Sequence, residues 1–139
     1  MTEIAFFDTN VLVYLFDAGN PAKRKRAREI LDRTSKHGNA AISSQVLQEF
    51  YVTITRKLAV PVEEETAERA VRDLSVLPVV IPDTSMILDA IARSRQKRMS
   101  FWDSLIVEAA LASGASLLYS EDLQHGYATG GVKIENPFL

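Results

Sequence analysis

The chain has 139 residues, of which 47% are hydrophobic and 24% charged, with a formal net charge of -2 and no cysteine. This describes a globular chain of one domain, 1–139, with a proper core, and it excludes disulfides, thiolate zinc sites and a cysteine nucleophile. Any metal must then be held by oxygen or by the two histidines, which favours a hard cation.

MTEIAFFDTN has no basic leader, and no apolar run approaches the ~18 residues of a membrane helix, so a cytoplasmic protein without a membrane partner is expected. EIAFF, 3–7, reads as a buried strand, and VLVYLF after DTN has the bulk of a short helix. Pro21 suits the first turn of a helix over 21–36 with Ala27, Ile30 and Leu31 inward, stopped by HGN at 37–39. NAAIS, 39–43, is a second strand, and Ser43 or Ser44 caps a helix running to about Leu58. Pro61 is expected to start the next helix, with Ala67, Ala70, Val71 and Leu74 on its inner face, ending near Pro78. VVI, 79–81, is a third strand; Asp83 or Thr84 caps a helix to about Lys97, and Ser100 another to about Ser113, closed by Gly114. ASLLY, 115–119, is a fourth strand, SEDLQHGYATGG a loop, and VKIE, 132–135, a short last strand. The alternation predicts an α/β domain with a mainly parallel sheet of four to five strands, whose functional groups collect beyond the strands' carboxyl ends.

Asp8, Glu49 and Asp122 fall on that side, after strands one, two and four, and Asp103 joins them if its helix starts facing the same crevice. Four carboxylates together would repel one another and be raised in pKa unless cations neutralised them, and oxygen ligands with water suit Mg²⁺ or Mn²⁺. Taken singly, each has a plain structural role. Asp8 is a good helix cap, Glu49 a helix surface residue, Asp103 the acid of a capping box in SFWD, and Asp122 a loop residue. The argument rests on the set.

FFDTNVLVYLFD, ISSQVLQEFYVTITRK, FWDSLIVEAA and LLYSEDLQHG together resemble a PIN-domain nuclease, and within that superfamily the VapC-type toxins of bacterial toxin–antitoxin systems. The resemblance covers nearly the whole chain. It implies a PIN-like three-layer α/β/α fold and a metal centre at Asp8, Glu49, Asp103 and Asp122, with Asp122 at the family's more variable position. It further implies metal-dependent hydrolysis of RNA to a 5′-phosphate and a 3′-hydroxyl, with Mg²⁺ or Mn²⁺ activating water and stabilising the charged transition state. On this reading Asp8 and Asp103 are direct ligands, Glu49 a ligand or water orienter, and Asp122 an outer or second-metal ligand. Thr9, Asn10 and Ser120 fix carboxylates or waters by hydrogen bonds, or act as caps. A homodimer and a cognate VapB-type antitoxin that blocks the groove are also implied.

Attraction to RNA must come from basic residues, for which KRKRAR at 23–28, RQKR at 95–98, and Arg56 and Lys57 near Glu49 are candidates; solvated helix faces are the alternative. Trp102 is expected in the core more than on a base. His37 and His125 have no partner spacing and receive no catalytic role. Three rival readings are a haloacid-dehalogenase-type phosphotransferase with Asp8 as nucleophile, a receiver-like regulatory domain, and a non-catalytic PIN-like RNA-binding module. The first lacks its second acid, since DTN supplies Asn10, and the second lacks its acidic pair.

Overall fold

The computed structural model describes residues 3–139. At its centre β1 (Ala5–Phe7) is buried at every position, which only apolar residues tolerate in a parallel strand covered on both faces. It lies between β2 (Ala40–Ser43) and β4 (Leu117–Tyr119), parallel to both, with Ala5 opposite Ala40 and Phe7 opposite Tyr119. The sheet has six strands in the order β3-β2-β1-β4-β6-β5, with β3 (Val79–Val80) beyond β2 and β6 (Val132–Glu135) beyond β4. Only β5 (Ala128–Thr129) runs antiparallel.

β5 is one strand more than the sequence suggests. Thr129 pairs with Val132 across Gly130 and Gly131, whose φ values are 56° and 86°. Two successive positive φ angles make the tight primed turn of a two-residue hairpin, so the glycines taken for loop residues close a strand pair.

The helices are α1 (Thr9–Val13), continued by a 3₁₀ turn at Tyr14–Phe16, α2 (Pro21–Lys36), α3 (Ser44–Arg56), α4 (Glu64–Leu74), α5 (Thr84–Lys97) and α6 (Phe101–Ala112). They flank the sheet in a three-layer α/β/α arrangement, α3 packing on α1 and α4, and α6 on α5. Ser43, Asp83 and Ser100 cap α3, α5 and α6 by accepting hydrogen bonds from the amides three residues on. α4 starts later than Pro61 suggests. The Val62 amide donates to Ile54 O at 2.8 Å, which holds that segment extended against the end of α3, and the helix begins only at Glu64.

The core runs from β1 through Leu12, Ile30, Phe50, Ile54 and Ile106, and Phe16 meets Phe50 edge-on with ring centroids 5.8 Å apart. This packing fixes where the carboxyl ends of β1, β2 and β4 lie relative to the start of α6.

Candidate active site

Each candidate side chain follows a strand end or lies in the first two turns of a helix. The Asp8 amide donates to Tyr119 O at 2.9 Å, the last rung between β1 and β4, so Asp8 emerges beside Ser120. Its Oδ1 accepts from the Thr9 amide at 2.7 Å, a cap on α1. Its Oδ2 accepts from Ser120 Oγ at 2.8 Å and from Asn10 Nδ2 at 3.2 Å. Capping therefore uses one oxygen of Asp8, while the other belongs to a network around the cleft.

Glu49 points back to the same place. Its Oε1 accepts from Thr9 Oγ1 at 2.9 Å and its Oε2 from Gln45 Nε2 at 3.3 Å. Asn10 joins Asp8 to the loop after β4: Nδ2 donates to Asp122 Oδ2 at 3.1 Å, and Oδ1 accepts from the Glu121 amide at 2.9 Å. Ser120 Oγ also accepts from the amides of Asp122 and Leu123, each at 3.2 Å, which folds that loop over the strand end. Asp103 stands in the first turn of α6, where its amide donates to Ser100 Oγ at 3.0 Å. Its carboxylate makes no return bond to the cap, so the capping box is half formed, and Asp103 faces a cleft of about 600 Å³ lined also by Asp8, Glu49 and Asp122.

Electrostatically this cleft is rich in acids that make no ion pair among the described residues. Among the described residues the ion pairs are Lys23 with Glu121, Arg28 with Asp32, Arg72 with Glu68 and Arg93 with Glu108, and none involves Asp8, Glu49, Asp103 or Asp122. Asp8 is 6% exposed. Burial pushes its carboxyl up to about 6; bonds from Ser120 and Thr9 pull it back, and the charges of Glu49 and Asp122 add to the rise.

The arrangement is a lined cleft and not a closed cage. Among the described residues no three acidic or histidine side chains converge as a ready-made ion site. The donor set nevertheless fits a hydrated divalent cation. The four acids offer carboxylate oxygens and, among the described residues, make no ion pair with a basic side chain, Asp8 is buried, and the cleft is open enough for waters to complete a coordination shell.

Other expectations change here. Lys57 lines the cleft, whereas Arg56 is exposed outside it. Within KRKRAR, Lys23 is held by Glu121 and Tyr14, and Arg26 Nε donates to Pro137 O at 2.9 Å. Trp102 is not in the core: it is 60% exposed and lines the cleft beside Asp103. His125 Nδ1 accepts from the Asn136 amide at 3.0 Å, away from the acids. Gln45 was overlooked, although its position four residues before Glu49, on one helix face, was a usable signal.

The chain matches the PIN domain family model over residues 5–128. No curated protein sequence matches it. Its structure is similar to a toxin–antitoxin complex from Klebsiella pneumoniae, with a TM-score of 0.71 at 20% identity, covering 96% of this chain and 97% of the other. It is also similar to a DNA-bound VapBC from Salmonella typhimurium, with a TM-score of 0.68 at 21% identity, covering 98% and 99%. A third similar structure is the Mycobacterium tuberculosis VapC20, described as a toxin that cleaves the sarcin-ricin loop, with a TM-score of 0.64 at 21% identity, covering 85% and 89%. These neighbours share the fold, which replaces the haloacid-dehalogenase and receiver readings. By fold and by a family match spanning most of its length, the chain belongs to the PIN domain family.

Proposed function

We propose that the chain is the toxin of a type II toxin–antitoxin pair, a Mg²⁺- or Mn²⁺-dependent endoribonuclease restrained by a VapB-type antitoxin. The observation that carries this reading is the cleft shared by Asp8, Glu49, Asp103 and Asp122, none of which pairs with a basic side chain. Solved neighbours named as VapBC or toxin–antitoxin complexes support the antitoxin partner. A homodimer and a cytoplasmic setting are part of the same proposal.

Bound at this cleft, a divalent cation supplies Lewis-acid charge for the phosphate and acidifies water. Asp8 and Asp103 would hold it directly. Glu49, fixed by Thr9 and Gln45, would be a further ligand or orient the attacking water, and Asp122 would act through an outer position or on a second cation. Ser120 and Asn10 keep Asp8 in one rotamer and tie Asp122 to it, so little reorganisation remains for the reaction. Lys57 meets a substrate phosphate at the cleft wall, with Arg56 on the nearby surface. Water attacks phosphorus and the bond to the 3′ oxygen breaks, leaving a 5′-phosphate and a 3′-hydroxyl.

The test is cleavage of bacterial total RNA by antitoxin-free protein in Mg²⁺ or Mn²⁺. Discrete cuts are expected, abolished by EDTA and reduced by about 10³-fold in a folded Asp8→Asn variant. Cutting by the variant at the wild-type rate would refute the assignment, and RNA bound but never cut would favour a non-catalytic PIN-like binding module.

A further inference from the structure

The indole of Trp102 has no place in the hydrophobic core. It is 60% exposed, in the first turn of α6, immediately before Asp103 and in the lining of the same cleft. A large aromatic left in water forgoes more burial than most side chains do, so its surroundings bear on its role. The residue is well held: its carbonyl accepts from Gln45 Nε2 at 3.2 Å, the same nitrogen that donates to Glu49 Oε2. The ring packs edge-on against Phe101, with centroids 5.1 Å apart and an interplanar angle of 75°. One amide therefore links Glu49 to the backbone that carries the indole, and Phe101 backs the ring on one edge.

We propose that Trp102 is a stacking platform for one unpaired nucleobase of the RNA that enters the cleft, an inference that rests on the ribonuclease reading above. A π-face accepts any base, and bases in a duplex already have theirs covered, so this surface selects single-stranded or looped RNA without selecting sequence. Lys57 in the same cleft lining supplies charge for the RNA backbone.

Trp102 is the only tryptophan, so the protein's own tryptophan emission reports on it alone. Wild-type protein in Mg²⁺ is mixed in a stopped-flow instrument with a dye-labelled, randomised, unpaired RNA pool about twelve nucleotides long, and separately with an abasic pool of equal length, anisotropy reporting binding. Quenching by the base-bearing pool before cleavage, and none by bound abasic backbone, is expected. Trp102→Leu should raise KM by about 5- to 100-fold with kcat near wild type, and Trp102→Phe should recover most of the loss. If RNA is cut but both pools change the emission equally, or Trp102→Leu leaves KM unchanged, the stacking role falls while the ribonuclease reading stands. If wild-type protein neither binds nor cuts RNA, both fall. If raising protein concentration without RNA both shifts the emission and shields Trp102 from acrylamide quenching, a second copy of the chain covers it and the proposal is overturned.

Discussion

Glu121 and Asp8 are both partly or fully withdrawn from water at the same end of the sheet, yet the chain treats them in opposite ways. Burial works to raise Glu121, but hydrogen bonds from Lys23 and Tyr14 and the Lys23 charge outweigh it and hold the carboxyl below its ordinary value. Asp8 receives only neutral donors and is pushed up to about 6. Glu108, on the helix that also carries Asp103, resembles Glu121 in having its own cation: Arg93 Nε lies 2.5 Å away and Arg93 Nη1 donates to Thr129. Acids that hold the fold together are neutralised by the chain. Among the described residues, the acids of the cleft make no ion pair with a basic side chain.

Breaking the structural side of this contrast should have the largest effect on stability. Arg93→Met leaves Glu108 as an unpaired, nearly buried charge and is expected to cost about 3 kcal/mol in urea unfolding, with Arg93→Met combined with Glu108→Leu recovering most of it. The same deletion logic reverses at the cleft. Because the folded pKa of Asp8 is raised, its protonated form contributes stability that is fully present below about pH 4 and lost as pH rises through about 6. Asp8→Asn mimics the protonated form. Without divalent metal, the variant should therefore be about 1–3 kcal/mol more stable than wild type at pH 7.5 and indistinguishable from it near pH 4. Smaller than either is Glu121→Gln, a partly exposed pair screened by solvent, whose contribution is present at neutral pH and fades on acidification because the folded pKa is lowered. A thermal scan at two pH values checks both signs.

Much of this was legible before the structure because the site uses strand ends. Apolar EIAFF, NAAIS and ASLLY announce strands, and the residues after them are where parallel sheets gather ligands, so strand order puts Asp8, Glu49 and Asp122 on one side, while their grouping into one site comes from the family resemblance. Asp103 needed the direction of α6, and Gln45 and Asn10 show that its neighbours are joined by amides whose partners lie in other parts of the chain. Pairings of that kind leave no local trace, which is why Lys23 read as part of a basic run when it serves Glu121. Trp102 misled for a different reason. α6 is apolar nearly all round, and its hydrophobic pattern does not distinguish the face turned to the core from the first turn that opens on the cleft.

The most direct measurement is calorimetric titration of Mn²⁺ into metal-free wild type, Asp8→Asn, Asp103→Asn and Glu121→Gln proteins. Saturable binding is expected in wild type and in Glu121→Gln, and its loss in both aspartate variants. Binding that survives in Asp8→Asn and Asp103→Asn, or that never saturates in wild type, would contradict the claim that the cleft's unpaired carboxylates are there to hold a divalent cation.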